Sequence, residues 1–110
     1  MDDASILVEG VSEPLKARAY ELAENVLWLE GRLREMRDMD APPIVEYDNG
    51  GGQTGVRKNP LYELFSQTFT QYRAGLSQLA ELIESGEAKP QAKSKLAELR
   101  VLTNDLKQAR

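Results

Sequence analysis

The sequence predicts an all-α protein. It is read as a long antiparallel helical hairpin over about 13–39 and 60–84, an irregular glycine-rich connection, and a shorter third helix, in a chain that oligomerises. Three observations predict it. Two apolar stripes repeat in alternating steps of three and four residues, the spacing that keeps one helix face turned toward a partner. Between them, Gly50, Gly51, Gly52 and Gly55 fall within six positions, which leaves the backbone too free for a helix or a central strand. Aromatic residues are 6% and charged residues 29% of the 110-residue chain, the balance of thin helical bundles and coiled coils. Such bodies commonly complete their core by self-association.

The length fits one domain, read as an arm over 1–11 and a helical domain over 12–110. In the arm, Ile6-Leu7-Val8 is a short apolar patch without a clear period, which either packs as an N-terminal arm or frays. Ser12 then offers an N-cap, with Pro14 in the first turn. The stripe of the 13–39 helix is Leu15, Ala19, Leu22, Val26, Leu29, Leu33 and Met36. Ala23, Leu27 and Trp28 widen it. Gly31 lies inside and costs about 1 kcal/mol relative to Ala, unless it admits a neighbouring helix.

Ala41-Pro42-Pro43 ends the helix, because proline blocks continuation and displaces its predecessor from the α region. Ile44-Val45-Glu46-Tyr47 is extended in character. With the glycines it makes a connection over 40–59, longer than helix connections usually are and of a length that is commonly functional or disordered. Asn59-Pro60 starts the next helix: Asn accepts from orphan N–H groups, and Pro suits the first helical position. Its stripe is Tyr62, Phe65, Phe69, Tyr72, Leu76, Leu79 and Ile83, widened by Leu61, Leu64 and Leu82. Aromatics lead and aliphatics follow, so the wide end of the core is expected near the glycines. Ser85-Gly86 reads as a stop with a left-handed glycine cap. The third helix, over 89–107, carries a weaker stripe of Ala92, Leu96, Leu99, Leu102 and Leu106, with Val101 nearby.

Composition excludes several function classes. No cysteine and no histidine is present, which removes disulfides, thiolate zinc sites, the Cys nucleophile and the commonest general base and metal ligand. Glu21, Glu24, Glu30, Glu35 and Asp38 alternate with the stripe and read as a wet helix face. No two acids pair in a sheltered site, so no catalytic residue, no metal site and no cofactor is expected. Gly50-x-Gly52-x-x-Gly55 matches the dinucleotide fingerprint in letters, but no strand–helix unit opens inside it, and no Gly-Lys-Ser/Thr follows for a Walker loop. No apolar run is long enough to span a membrane. Met1-Asp2-Asp3 is acidic where a signal peptide is basic, so a cytoplasmic location is expected.

The net charge of −4 is uneven. Residues 1–50 hold 12 acidic and 5 basic side chains, and residues 51–110 hold 6 and 9, giving −7 and +3. A basic half can meet phosphate while an acidic half repels it. Arg57 and Lys58, beside exposed glycine N–H groups and a helix N-terminus, are candidate phosphate contacts. Lys89, Lys93 and Lys95 on the third helix are further candidates. For both groups an ordinary solvated surface is the competing reading. The aromatics Tyr62, Phe65, Phe69 and Tyr72 could stack bases, but their helical spacing assigns them to the core.

The stretch Ile44-Val45-Glu46-Tyr47-Asp48-Asn49-Gly50-Gly51-Gly52-Gln53-Thr54-Gly55-Val56-Arg57-Lys58-Asn59-Pro60, followed by an aromatic-rich helix ending in leucines, resembles a segment of small terminase-like proteins from phages and prophages of Gram-positive bacteria. Leu22 to Leu29 resembles the helix that precedes that segment. The resemblance covers roughly residues 15–84. It implies a non-catalytic DNA-packaging component of a bacterial host's cytoplasm. Such a component forms a homo-oligomer, with rings possible, binds double-stranded phage DNA, and hands it to a large terminase subunit that holds the ATPase and nuclease. On this reading Leu22, Val26, Leu29, Leu33, Phe65, Phe69, Tyr72, Leu76 and Leu79 form a core or oligomer seam that needs more cover than one hairpin supplies. The chain departs from the family pattern in lacking a legible helix-turn-helix: the helix before the Ser85–Pro90 turn is too long and too buried for a compact reading unit. A helical self-associating adaptor that binds no nucleic acid is the alternative, favoured by the acidic first half.

Overall fold

The computed structural model describes every residue except 1, 40–43, 49–51, 53, 109 and 110, and describes the backbone alone for 44–48, 54, 57, 58 and 106–108. The expected stop at Ala41-Pro42-Pro43, the glycines at 50 and 51, and Arg110 lie outside the described residues, as do the side chains of Leu106 and Lys107. Four helices make up most of the chain: α1 (Asp3–Val8), α2 (Glu13–Asp38), α3 (Pro60–Glu84) and α4 (Pro90–Gln108). Between α2 and α3 lie β1 (Ile44–Asp48) and β2 (Thr54–Lys58), an antiparallel pair with Ile44 opposite Lys58 and Asp48 opposite Thr54.

Two corrections follow at once. The N-terminal stretch packs rather than frays, and it does so as a helix that the sequence did not show: it contains α1, whose Ala4, Leu7 and Val8 are buried. The Asp2 side chain accepts from the Ser5 backbone N–H at 2.7 Å and from the Tyr20 hydroxyl at 2.9 Å, so one carboxylate caps α1 and ties it to α2. Nor is 40–59 an irregular loop throughout. β-Branched and aromatic residues in 44–48 favour an extended chain, Gly52 takes φ +83° in the connection, and the two arms pair.

α2 and α3 share the most extensive helix contact. The Glu87 N–H donates to the Gly10 carbonyl at 3.0 Å, beside the start of α2. Further along, Val26 abuts Gly75, and the charges of Glu30 and Arg34 reach Tyr72. α3 therefore runs against α2. Both starts follow the expected chemistry in part. Asn59 accepts from the Leu61 N–H at 3.0 Å, whereas Ser12 holds the N-cap position without a side-chain cap bond.

The two stripes bury each other. Val26, Leu29, Leu33, Phe69, Tyr72, Leu76 and Leu79 are buried within one chain, with Leu22 and Phe65 packed at the margin. Each fully buried leucine stabilises the fold by roughly 2 kcal/mol. The expectation that the seams lack cover is thus corrected: the pair supplies most of it, and α1 and α4 supply more. α4 folds back so that the Tyr72 hydroxyl donates to the buried Leu99 carbonyl at 2.8 Å. Arg100 meets Glu84 at 2.7 Å and Lys95 meets Asp3 at 3.1 Å. Burial, then the Glu30 charge, push the Tyr72 hydroxyl pKa well up, with Arg34 opposing.

Three further expectations change. Gly86 is not a left-handed cap; it sits where a Cβ would lie 2.5 Å from the Gly10 carbonyl oxygen, and a Cβ on Gly10 would collide with the Glu87 carbonyl. These two glycines permit backbone to touch backbone. Trp28 does not widen the core: it is 62% exposed, with the Arg32 guanidinium 6.0 Å from its ring. The core is not widest near the glycines either, because Tyr62 is exposed and, of the largest fully buried side chains, Leu33 alone lies toward that end. The chain measures 62 × 26 × 21 Å with a radius of gyration of 18.1 Å, against about 13 Å for a compact chain of this length.

Candidate functional site

The strand pair is a ribbon of two strands, and among the described residues no third strand joins it. α2, at 1.5 Å per residue, is about 39 Å long. The 62 Å long axis leaves room for five-residue strands of about 17 Å beyond it. Among the described residues the two strands share extensive contact with each other and with no helix. An isolated two-stranded ribbon is marginally stable in water, and the outer edge of such a strand carries backbone N–H and C=O groups that its one sheet partner does not bind.

Exposed apolar side chains gather at this end. Val56 is 67% exposed, and Met39, Tyr62 and Leu64 at the adjoining helix termini are also exposed. Sequence reasoning missed this cluster because Leu64 was read as widening the second stripe and Tyr62 as part of it. Their exposure is a three-dimensional fact that the stripes do not carry.

The candidate phosphate contacts do not form one surface. Arg57 and Lys58 occupy β2 opposite Val45 and Ile44. Successive strand positions alternate between faces, so 57 and 58 fall on opposite faces of the ribbon. Lys89 and Lys93 are exposed, but at the other end of α3, about 37 Å away by helix length. There they line a cleft shared with Glu84, Glu87, Leu96 and Arg100, a mixed-charge rather than a positive surface.

Lys95 is engaged within the fold, 3.1 Å from Asp3 and 3.6 Å from Glu98. Partial burial works against its charge, yet the Asp3 hydrogen bond and the charges of Asp3, Glu98 and Glu30 outweigh that and raise its pKa. It joins α4 to α1, so contact with a phosphate would compete with that role. The Asp2 carboxyl is held below its usual range by the Ser5 hydrogen bonds and then by Tyr20, whose own hydroxyl is raised chiefly by Asp2.

Among the described residues no group of three acidic, histidine or cysteine side chains is placed to hold a metal ion, and no helix is long and apolar enough to cross a membrane. No family model, no curated protein and no solved structure matches the chain.

Proposed function

We propose that the protein is a small terminase-like DNA-packaging component of a phage or prophage. It acts by binding and assembly in the cytoplasm of a bacterial host and makes and breaks no bond. Its partners are further copies of itself, double-stranded DNA and a large terminase subunit. One observation supports the reading: β1 and β2, whose residues bear the resemblance to small terminases, share extensive contact with each other and with no helix among the described residues. In this reading the antiparallel α2–α3 pair is the scaffold, and the ribbon with Arg57 and Lys58 is the working part. Lys89 and Lys93 form a second, separate contact.

The test is a gel-shift titration with duplex DNA over a series of salt concentrations. A phosphate-driven binder loses affinity as salt rises, with a log–log slope of about −0.9 for each phosphate neutralised. Replacing Arg57 and Lys58 by alanine should weaken retention and flatten that slope by about two phosphate equivalents. Unchanged retention would remove the ribbon from the DNA contact. The adaptor reading is favoured by the division of basic residues between two ends and by the engagement of Lys95. Self-association without any salt-dependent DNA binding would select it.

A further inference from the structure

The seam between α3 and α4 is loosely made. Two clefts open along it, one lined by Ile83, Lys93 and Leu96 and the other by Leu76, Ala80 and Thr103, and Glu84 and Arg100 border both. Thr103 Oγ1 is shielded from solvent with no hydrogen-bond partner among the described residues, which opposes docking. The Glu84–Arg100 pair that crosses the seam is exposed on both sides and contributes little. The buried Tyr72–Leu99 hydrogen bond ties the two helices at one point.

α1 shares more extensive contact with α4 than α3 does, although α1 has 6 residues and α3 has 25. Its Ala4, Leu7 and Val8 are buried, as are Ala92 and Leu96 in the first two turns of α4. Asp3 meets Lys95 at 3.1 Å, and just beyond α1 the Gly10 carbonyl accepts from the Glu87 N–H at 3.0 Å. α1 also packs on α2, where Asp2 accepts from the Tyr20 hydroxyl. One short helix thus bridges α2 and α4.

We propose that α1 is a strap that holds α4 on the α2–α3 pair, and that its release lets α4 leave α3 while the pair stays folded. A helix shorter than about 12 residues does not persist alone in water, so α1 keeps its shape only while docked and is lost in one step. What then remains to hold α4 is the clefted seam with α3. Its opening uncovers Leu96, Leu99 and Leu102 on α4 and Leu76, Ala80 and Ile83 on α3. α2 and α3 share the most extensive helix contact and keep each other's stripes covered. The strap operates within the helical body, whatever the ribbon contacts.

Amide exchange of the full-length chain, followed residue by residue, tests this. In the unaltered chain the amides of Leu96, Leu99 and Leu102 should be protected at least about tenfold less than those of Val26 and Tyr72. Equal protection of the two sets would overturn the strap, because α4 would then open only with the whole chain. Leu7→Ala removes a buried side chain of α1 and should accelerate exchange of the α4 amides by roughly tenfold or more. Unchanged α4 exchange in that variant would mean that α3 holds α4 and would overturn the proposal. Met36→Ala, at a buried position in the last turn of α2 and away from α1, weakens the pair alone. It should accelerate Val26 and Tyr72 and leave the α4 amides as they were. Acceleration of α4 in step with the pair would again overturn the separate opening, and this variant decides the matter even where Leu7→Ala does not fold.

Discussion

At the end of the rod where α1 and α4 meet, Ala4, Leu7, Val8, Ile83 and Leu96 are buried, backbone touches backbone at Gly10 and Glu87, and Lys95 spans two helices to Asp3. At the opposite end Met39, Val56, Tyr62 and Leu64 are exposed, and a two-stranded ribbon has its own strands as its only sheet partners among the described residues. The same chain closes one end with four helix termini and leaves the other to a device that is marginal alone. Burial concentrates at the first end, and under the proposed function contact is made at the second. Substitutions should therefore separate the two.

The largest expected effect is at the closed end. Gly10→Val forces a side chain into the Glu87 carbonyl and should cost about 3 kcal/mol or more in urea denaturation. A loss below 1 kcal/mol would mean that this close approach does not exist. Next, Leu79→Ala, at a fully buried position toward the closed end, should cost about 2–5 kcal/mol. Leu64→Ala at the exposed end should stay within about 0.5 kcal/mol, and equal losses at the two places would erase the contrast.

Smaller still is Tyr72→Phe, which strands the Leu99 carbonyl and should cost about 1–2 kcal/mol while helix content is kept. Gly31→Ala has open space around the new methyl and should stabilise by about 0.5–1 kcal/mol. The smallest effect is the acid response of α1. Asp2 has a lowered pKa relative to 3.8, so its contribution is present above that value and is lost as pH falls through the lower folded one. Amide exchange in α1 should accelerate as pH is lowered below 3.8 while α3 stays protected, and in Asp2→Asn the acceleration should vanish.

Much of the helical body is legible in the sequence. The 3-4 steps through Val26, Leu29 and Leu33 and through Phe69, Tyr72 and Leu76 give both helices and their facing sides, because period alone decides which face a residue takes. Asn59-Pro60 marks the α3 start for the same local reason. What escaped is non-local. α1 is a short helix whose burial depends on α4, more than eighty residues away in sequence, so Ile6-Leu7-Val8 shows no period of its own. Gly86 looks like a cap because sequence shows its neighbours and not Gly10. The ribbon hides behind its glycines, which mark the turn but obscure the paired arms. The candidate phosphate contacts were recognisable as basic residues, but their separation by the length of α3 and the engagement of Lys95 with Asp3 are three-dimensional facts.

The division of labour between the ends is tested most directly by sedimentation equilibrium on two chains, the full sequence and one in which residues 44–58 are replaced by a short glycine–serine linker. The account predicts a full chain heavier than its 12.3 kDa single-copy mass, and a linker variant at single-copy mass whose α2, α3 and α4 keep their helicity and melt within a few degrees of the parent. A linker variant that assembles as the full chain does, or that loses its helices with the ribbon, would contradict it.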